Sequence, residues 1–248
     1  GESEDDTLEM IHSIRDKKIR IIESRWNDEM NYKGYVYGQQ KMIAQFNCTG
    51  DWAFYIEGDE VYHENELEQI KKSMEMHLND PNVEALVFDF HHFYGNANTI
   101  LNSPGWYRSE ARIIKNSVRS YAPDGLFWLV LDSNKKGRYP RAKHTGASCY
   151  HYGWARSEDQ MNLKVSKVQM YWGNKPVKID YSQMDQSIIK EFKGTHPKVM
   201  KEWLKNDKGL YQVDSSYRLT KKQKKHRIMI KLENFFHLEL SKKHYKLV

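Results

Sequence analysis

The sequence predicts an α/β protein, and three observations carry that prediction. Short apolar runs end abruptly in polar clusters; the clearest is Trp52-Ala53-Phe54-Tyr55-Ile56, which runs into Glu57, Asp59 and Glu60. Such a continuous run suits a strand covered on both faces. Leu67, Ile70, Met74 and Leu78 then form one helical stripe, and a second apolar run, Val83 to Phe90, follows the Asp80-Pro81 break. The 248 residues, 39% of them hydrophobic, suffice for one large domain or a domain with an appendage.

The elements follow in order. Asp5, Asp6 and Thr7 are helix-capping residues ahead of Leu8, Ile11 and Ile14 at helical spacing. Lys18 to Glu23 reads as a strand. A helix and then a strand is an odd opening for an α/β sheet, so an initial βαβ segment is expected to be missing. The second half of Asn31 to Gln45 reads as a helix under the acidic strand. A helix is expected over 65–79, a strand over 83–90 ending at Asp89, a loop over 96–104 and a strand over 111–115. A turn at 120–125, a strand at 126–131 and a basic hairpin loop at 132–137 come next. A short strand at 147–150 leads into His151-Tyr152-Gly153-Trp154 and a helix over 157–171. From Gly173 the character changes: polar loops surround Gly194-Thr195-His196-Pro197, and a short helix spans 199–204. After Thr220 a lysine-rich run precedes Ile228, Ile230, Leu232, Phe235, Phe236 and Leu238. The division expected is therefore 1–172 and an extension, 173–248.

Composition narrows the function. No apolar run reaches the roughly 18 residues of a membrane span, and the start as given is no signal peptide. Cys48 and Cys149 make neither a disulfide framework nor a metal pattern, and both are expected as buried thiols of a reducing compartment. The net charge of +6 permits attraction to phosphates or an anionic membrane without demanding nucleic acid. Glu57, Asp59 and Glu60 repel one another unless a cation neutralises them. At a strand end they suit Mg²⁺ or Mn²⁺ carrying a phosphate-bearing substrate, the alternative being a solvated acidic turn. His91 and His92 point to opposite faces of a strand and cannot chelate together.

The ordered motifs resemble those of the family 2 glycosyltransferases, which have the GT-A fold. Ser3-Glu4-Asp5-Asp6-Thr7 is similar to that family's D-G-S-x-D-x-T turn. Gly50 to Glu60 resembles its G-D/E-(apolar strand)-D-x-D-D/E element, with Glu57 in place of the first Asp. His151-Tyr152-Gly153-Trp154, Phe90 to Gly95 and Gly194 to Pro197 resemble Y-H-Y-G-W, F-x-x-F-Y-G and G-T-H-P of one bacterial branch. The likeness covers roughly residues 1 to 200.

The resemblance implies transfer of a sugar from a nucleotide-diphosphate sugar to an acceptor hydroxyl, inverting and dependent on Mn²⁺ or Mg²⁺, in cell-surface glycan assembly. It implies Glu57, Asp59 and His151 as metal ligands, with Glu60 orienting or opening the next helical turn. Asp124, Asp89 and Glu110 are candidates for the general base. Asp5, Asp59 and Arg112 would contact the donor. Trp106, Tyr107 and Trp154 would stack on sugars or pack the core. The basic tail suits a lipid-linked or glycan acceptor and a cytoplasmic protein at the inner membrane face, the alternative being the solvated basic end of a packed helix. The competing readings are a weakly catalytic sugar-nucleotide or glycan-binding module, and a basic peripheral-membrane protein.

Overall fold

The computed structural model describes residues 5–133, 136–175, 177–207 and 214–248. In chain order its elements are α1 (Thr7–Ser13), α2 (Tyr35–Phe46), β1 (Trp52–Phe54), β2 (Glu60–Tyr62), α3 (Leu67–His77), β3 (Ala85–Tyr94), β4 (Asn96–Leu101), β5 (Ser109–Lys115), β6 (Ser120–Tyr121), β7 (Leu129–Leu131), β8 (Gly137–Arg138), β9 (Arg141–Trp154), α4 (Glu158–Trp172), β10 (Ile189–Glu191), α5 (Lys201–Leu204), α6 (Lys221–Phe236) and β11 (Lys246–Leu247).

Alternation along β3 sets the layers. Ala85 and Val87 face one core with Ala53, Ile114, Trp128, Tyr245 and Met42 of α2. Leu86, Phe88 and Phe90 face the other with Ile113, Cys149 and Ile70 of α3. A strand buried on both faces needs this continuous apolar run. β9 pairs with β3 in parallel, while β5 and β4 pair antiparallel along its other side. β1 lies antiparallel outside β5, and β2 and β11 pair with β9. The protein is thus an α/β fold with a mixed central sheet between helices. A small antiparallel sheet, β6-β7-β8, stands beside it.

The β3–β5 register breaks once. Leu86 pairs with Ile113 and Val87 with Ala111, so Arg112 is the extra residue of a bulge. Bulges re-aim side chains, and this one sends the Arg112 guanidinium into the acidic segment.

Several elements differ from the sequence expectation. Residues 18–23 form no strand; Ile19, Ile21 and Ile22 are exposed and pair with nothing in the sheet. A strand exists only through its partners, and β1 has β5 as its sole neighbour among the described residues. β3 runs past Asp89 to Tyr94, and the expected loop at 96–104 holds β4, folded back on β3 about Gly95 at φ +70°. The short strand at 147–150 is part of the 14-residue β9. Cys48 is exposed; only Cys149 is buried. The hairpin expected at 132–137 is flanked by the β7–β8 pair, and its residues 134 and 135 lie outside the described residues. Ser3 and Glu4 also lie outside them.

The segment after residue 173 joins the same sheet. β10 pairs with β4, and β11 with β9. The buried His244 ring bonds the buried Glu110 carboxylate and stacks on Phe127 at 4.3 Å. No helix among the described residues is long and apolar enough to cross a membrane.

Candidate functional site

The acidic segment hangs between β1 and β2, and each of its acids has a different fate. Glu60 opens β2 opposite His151 of β9, which places it in the sheet and buries it. Its carboxylate takes Arg112 Nε at 3.0 Å and Nη2 at 2.5 Å. Arg112 also donates through Nη1 to the Leu126 carbonyl at 3.0 Å. Its side chain is fully buried, so the arginine expected at the donor phosphates instead ties the acidic segment to the turn at 124–126. Glu57 lies 3.6 Å from Arg112 and is part exposed. Burial raises the Glu57 pKa, and the Arg112 charge opposes that rise.

Asp59 faces the other way, into a cavity of about 370 Å³ lined by Glu57, Gly58, Asp59, Arg156 and Lys164. The Asp59 carbonyl accepts from Tyr152 N–H at 2.9 Å, which locks the loop to β9. Its Oδ2 accepts from Lys164 Nζ at 2.6 Å. Burial pushes the Asp59 pKa up, but the charge of His151 once that ring is protonated in acid, the bonded Lys164 ammonium and Arg156 outweigh burial and hold the group below its ordinary value.

His151 belongs to a chain of groups that fixes its tautomer. His92 Nε2 lies 2.8 Å from the Tyr107 carbonyl, and His92 Nδ1 lies 2.9 Å from His151 Nδ1. Burial lowers both histidine pKa values, so both rings are neutral near pH 7. A carbonyl only accepts, so His92 carries its proton on Nε2 and offers Nδ1 as an acceptor. His151 must then carry its proton on Nδ1. That leaves the His151 Nε2 lone pair bare, 3.7 Å from Asp59 Oδ1. A methyl built on Gly153 would lie 2.5 Å from Asp59 Oδ2, 2.5 Å from His151 Nε2 and 2.9 Å from Lys164 Nζ. Carboxylate, imidazole lone pair and ammonium therefore converge on one point that only a glycine leaves free.

Among the described residues, no three or more His, Cys, Asp or Glu side chains gather as a metal-binding group. Asp59 and His151 are the two groups here that could ligate an ion, and Glu57 is turned to Arg112. Two protein ligands fit an ion that completes its shell with water and substrate phosphate, and a bare imidazole nitrogen suits Mn²⁺ better than Mg²⁺. Arg156 and Lys164 add two cations where such phosphates would lie.

The base candidates are separated. Asp89 is exposed on β3, 3.9 Å from His144. Glu110 is sealed inside and committed to His244. Asp124 lies on the turn that Arg112 ties to the acidic segment, and its Oδ1 accepts from Leu126 N–H at 2.8 Å. Burial raises its pKa against hydrogen bonds from Leu126 and Phe127 N–H. Helix α2 presses close there: a methyl on Gly38 would come 2.5 Å from the Ala122 carbonyl. Asp5 is exposed and caps its own turn, accepting from Thr7 N–H at 3.1 Å. Trp106 and Trp154 pack edge to face at 5.0 Å.

Sequence reasoning weighed His92 only as a partner of His91 and set it aside, and it missed Arg156 and Lys164. His92 meets His151 because the parallel β3–β9 register sets them opposite each other. Lys164 reaches Asp59 because α4, started by a Ser157–Gln160 capping box, aims it there. No spacing in the sequence signals either contact. A larger cavity of about 690 Å³, lined by Met42, Phe46, Cys48, Arg119 and others, has no acid in its wall. The chain matches no protein-family model, and no curated protein matches it significantly.

Proposed function

We propose that the protein is a glycosyltransferase of GT-A type that takes a sugar from a nucleotide-diphosphate donor. One observation carries the reading: Asp59 and the bare His151 Nε2 converge, with Lys164 and Arg156 beside them, just beyond the end of β1. Two ligands of opposite chemistry to two cations make a place for a diphosphate and its counterion. The strand-end position agrees with where α/β sheets bind ligands. The motif resemblance gives the same class of donor.

In this reading Asp59 and His151 hold Mn²⁺ or Mg²⁺. When bound, the ion neutralises the charge growing on the departing diphosphate. Lys164 and Arg156 bind the phosphate oxygens. Arg112 and Glu60 keep the acidic segment in place. Asp124 is the favoured base, because Asp89 points to solvent beside His144 and Glu110 is already bonded to His244. The acceptor is a glycan or a lipid-linked sugar, and the setting is the cytoplasmic side of cell-surface glycan assembly.

The test is thermal stabilisation by uridine, guanosine and thymidine diphosphates, each with and without Mn²⁺. One nucleotide should raise the melting temperature in the presence of Mn²⁺, and Asp59→Ala should abolish that rise. No stabilisation by any of them, in a protein that melts cooperatively, would defeat the reading.

A further inference from the structure

The last long helix presents a face that the described residues leave uncovered. α6 begins at a Thr220 capping box and ends at His237 in the left-handed conformation, φ +53°. Three contacts fix its rotation. Arg227 grips the fully buried Asp185 with Nε at 2.9 Å and Nη2 at 2.8 Å. Arg108 donates two bonds to the buried Glu233, at 3.1 and 2.8 Å. The His226 ring sits where a methyl on Gly105 would collide with it, 2.3 Å away. Positions 223, 226, 230 and 233 therefore face the body at helical spacing.

The opposite stripe, Lys221, Lys225, Ile228, Leu232 and Phe235, is exposed throughout. Phe235 is 77% exposed, Ile228 61% and Phe236 57%. The one ring contact that either phenylalanine makes among the described residues is with the other. Lys222, Lys224 and Lys231 add charge beside the stripe. Glu233, the only acid in the helix, is turned inward and neutralised by Arg108. The outward face is thus cationic at one end and apolar at the other, with no compensating acid.

We infer that the outward face of α6 is a docking surface for an anionic lipid bilayer. Lysines lie among negative headgroups while the aromatic and aliphatic side chains enter the boundary between headgroup and acyl chain. The alternatives use only half of the face. Nucleic acid would pair with the lysines and leave Phe235, Phe236 and Leu232 in water. A second copy would cover the apolar end but set lysine against lysine. The inference does not depend on the chemistry at Asp59.

Vesicle flotation of the full chain tests it, with phosphatidylcholine vesicles compared against phosphatidylcholine–phosphatidylserine vesicles. The protein should partition at least about tenfold more strongly onto the anionic vesicles, and salt should weaken it. Phe235→Ser with Phe236→Ser, and separately Lys221, Lys222, Lys224 and Lys225 each →Gln, should each reduce the partition about tenfold or more. All six side chains are exposed, so the melting temperature should stay put. The inference is overturned by equal partition onto both vesicle types, or by phenylalanine variants that float as well as the parent. It is also overturned if the phenylalanine variants dissolve a dimer of the parent, which would mean that a second copy covers the face. Binding to heparin that survives the phenylalanine variants, with no flotation, would mean simple polyanion attraction.

Discussion

Gly153→Ala places a methyl group at the point on which the site converges. That methyl would sit 2.5 Å from Asp59 Oδ2, 2.5 Å from His151 Nε2 and 2.9 Å from Lys164 Nζ. Comfortable carbon contacts begin at about 3.5 Å, so each neighbour must retreat by roughly 0.5–1 Å. All three are ends of side chains, and Gly153 does not have the left-handed φ that would bar alanine. Overpacking of this kind costs about 1–3 kcal/mol. The smaller conformational freedom of alanine in the unfolded chain offsets roughly 0.5–1 kcal/mol of that. The net loss of about 1–2 kcal/mol lowers the melting temperature by roughly 2–8 °C in a chain of this size. Ligand binding should suffer far more. A hard divalent ion needs its ligand atoms at about 2.0–2.2 Å, and the methyl fills that space. Mn²⁺ affinity, and the affinity for a nucleoside diphosphate with Mn²⁺, should fall at least about 100-fold, a loss near 2.7 kcal/mol. Thermal melts give the stability change and isothermal titration gives the binding. A variant that melts a few degrees lower yet binds Mn²⁺ and nucleotide like the parent would show that the seat lies elsewhere.

Two further outcomes are expected. Lys164→Met removes the ammonium held 2.6 Å from Asp59, so Mn²⁺ alone should bind about tenfold tighter while the nucleoside diphosphate with Mn²⁺ binds about tenfold weaker. Titrations in which both affinities move the same way would refute the assignment of Lys164 to the phosphates. Glu84 is bonded by Arg138 at 2.7 Å and by Arg141 at 3.0 Å, and although burial pushes its pKa up, these partners bring it down to about 2. A depressed carboxyl stabilises the fold above its unfolded pKa near 4.5, and the stabilisation is lost as pH falls from there through about 2. Glu84→Gln should therefore cost about 2 kcal/mol at pH 7, with both arginines part exposed, and the gap to the parent should close on acidification. A gap that stays constant between pH 6 and the acid limit of folding would refute this.

Local signals in the chain located what local physics decides. The stripe at Ile70 and Met74, the Asp80-Pro81 break, the run through Val87 and the helix expected over 157–171 all became the elements they indicate. Strand β4 was hidden because Asn96-Ala97-Asn98-Thr99 is polar and earns no strand pattern of its own; it folds back on β3 through the turn at Gly95. Residues 18–23 failed for the converse reason: their isoleucines suit a strand, but among the described residues no strand pairs with them. In the candidate site, Asp59 and His151 were readable as ligand types at suggestive places. Their meeting was implied by the resemblance alone and by no spacing in the chain, because it depends on β2 pairing with β9 at Glu60 and His151. Arg112 was misplaced in expectation because a one-residue bulge reverses where its side chain points, and a bulge leaves no mark in composition.

The bond between Glu110 and His244 spans 134 positions of sequence. Until residue 244 arrives, a carboxylate lies in the middle of an apolar layer with no proton donor from that side, and the Arg141–Ala142 edge of β9 has no β11. Closing so long a loop is slow, and strand edges left open in the meantime invite pairing with other chains. Residues made early must wait for residues made late. The sheet should therefore mature in two kinetic stages, with hydrogen-exchange protection appearing first in β3 and β5 and last at the Arg141–Ala142 end of β9.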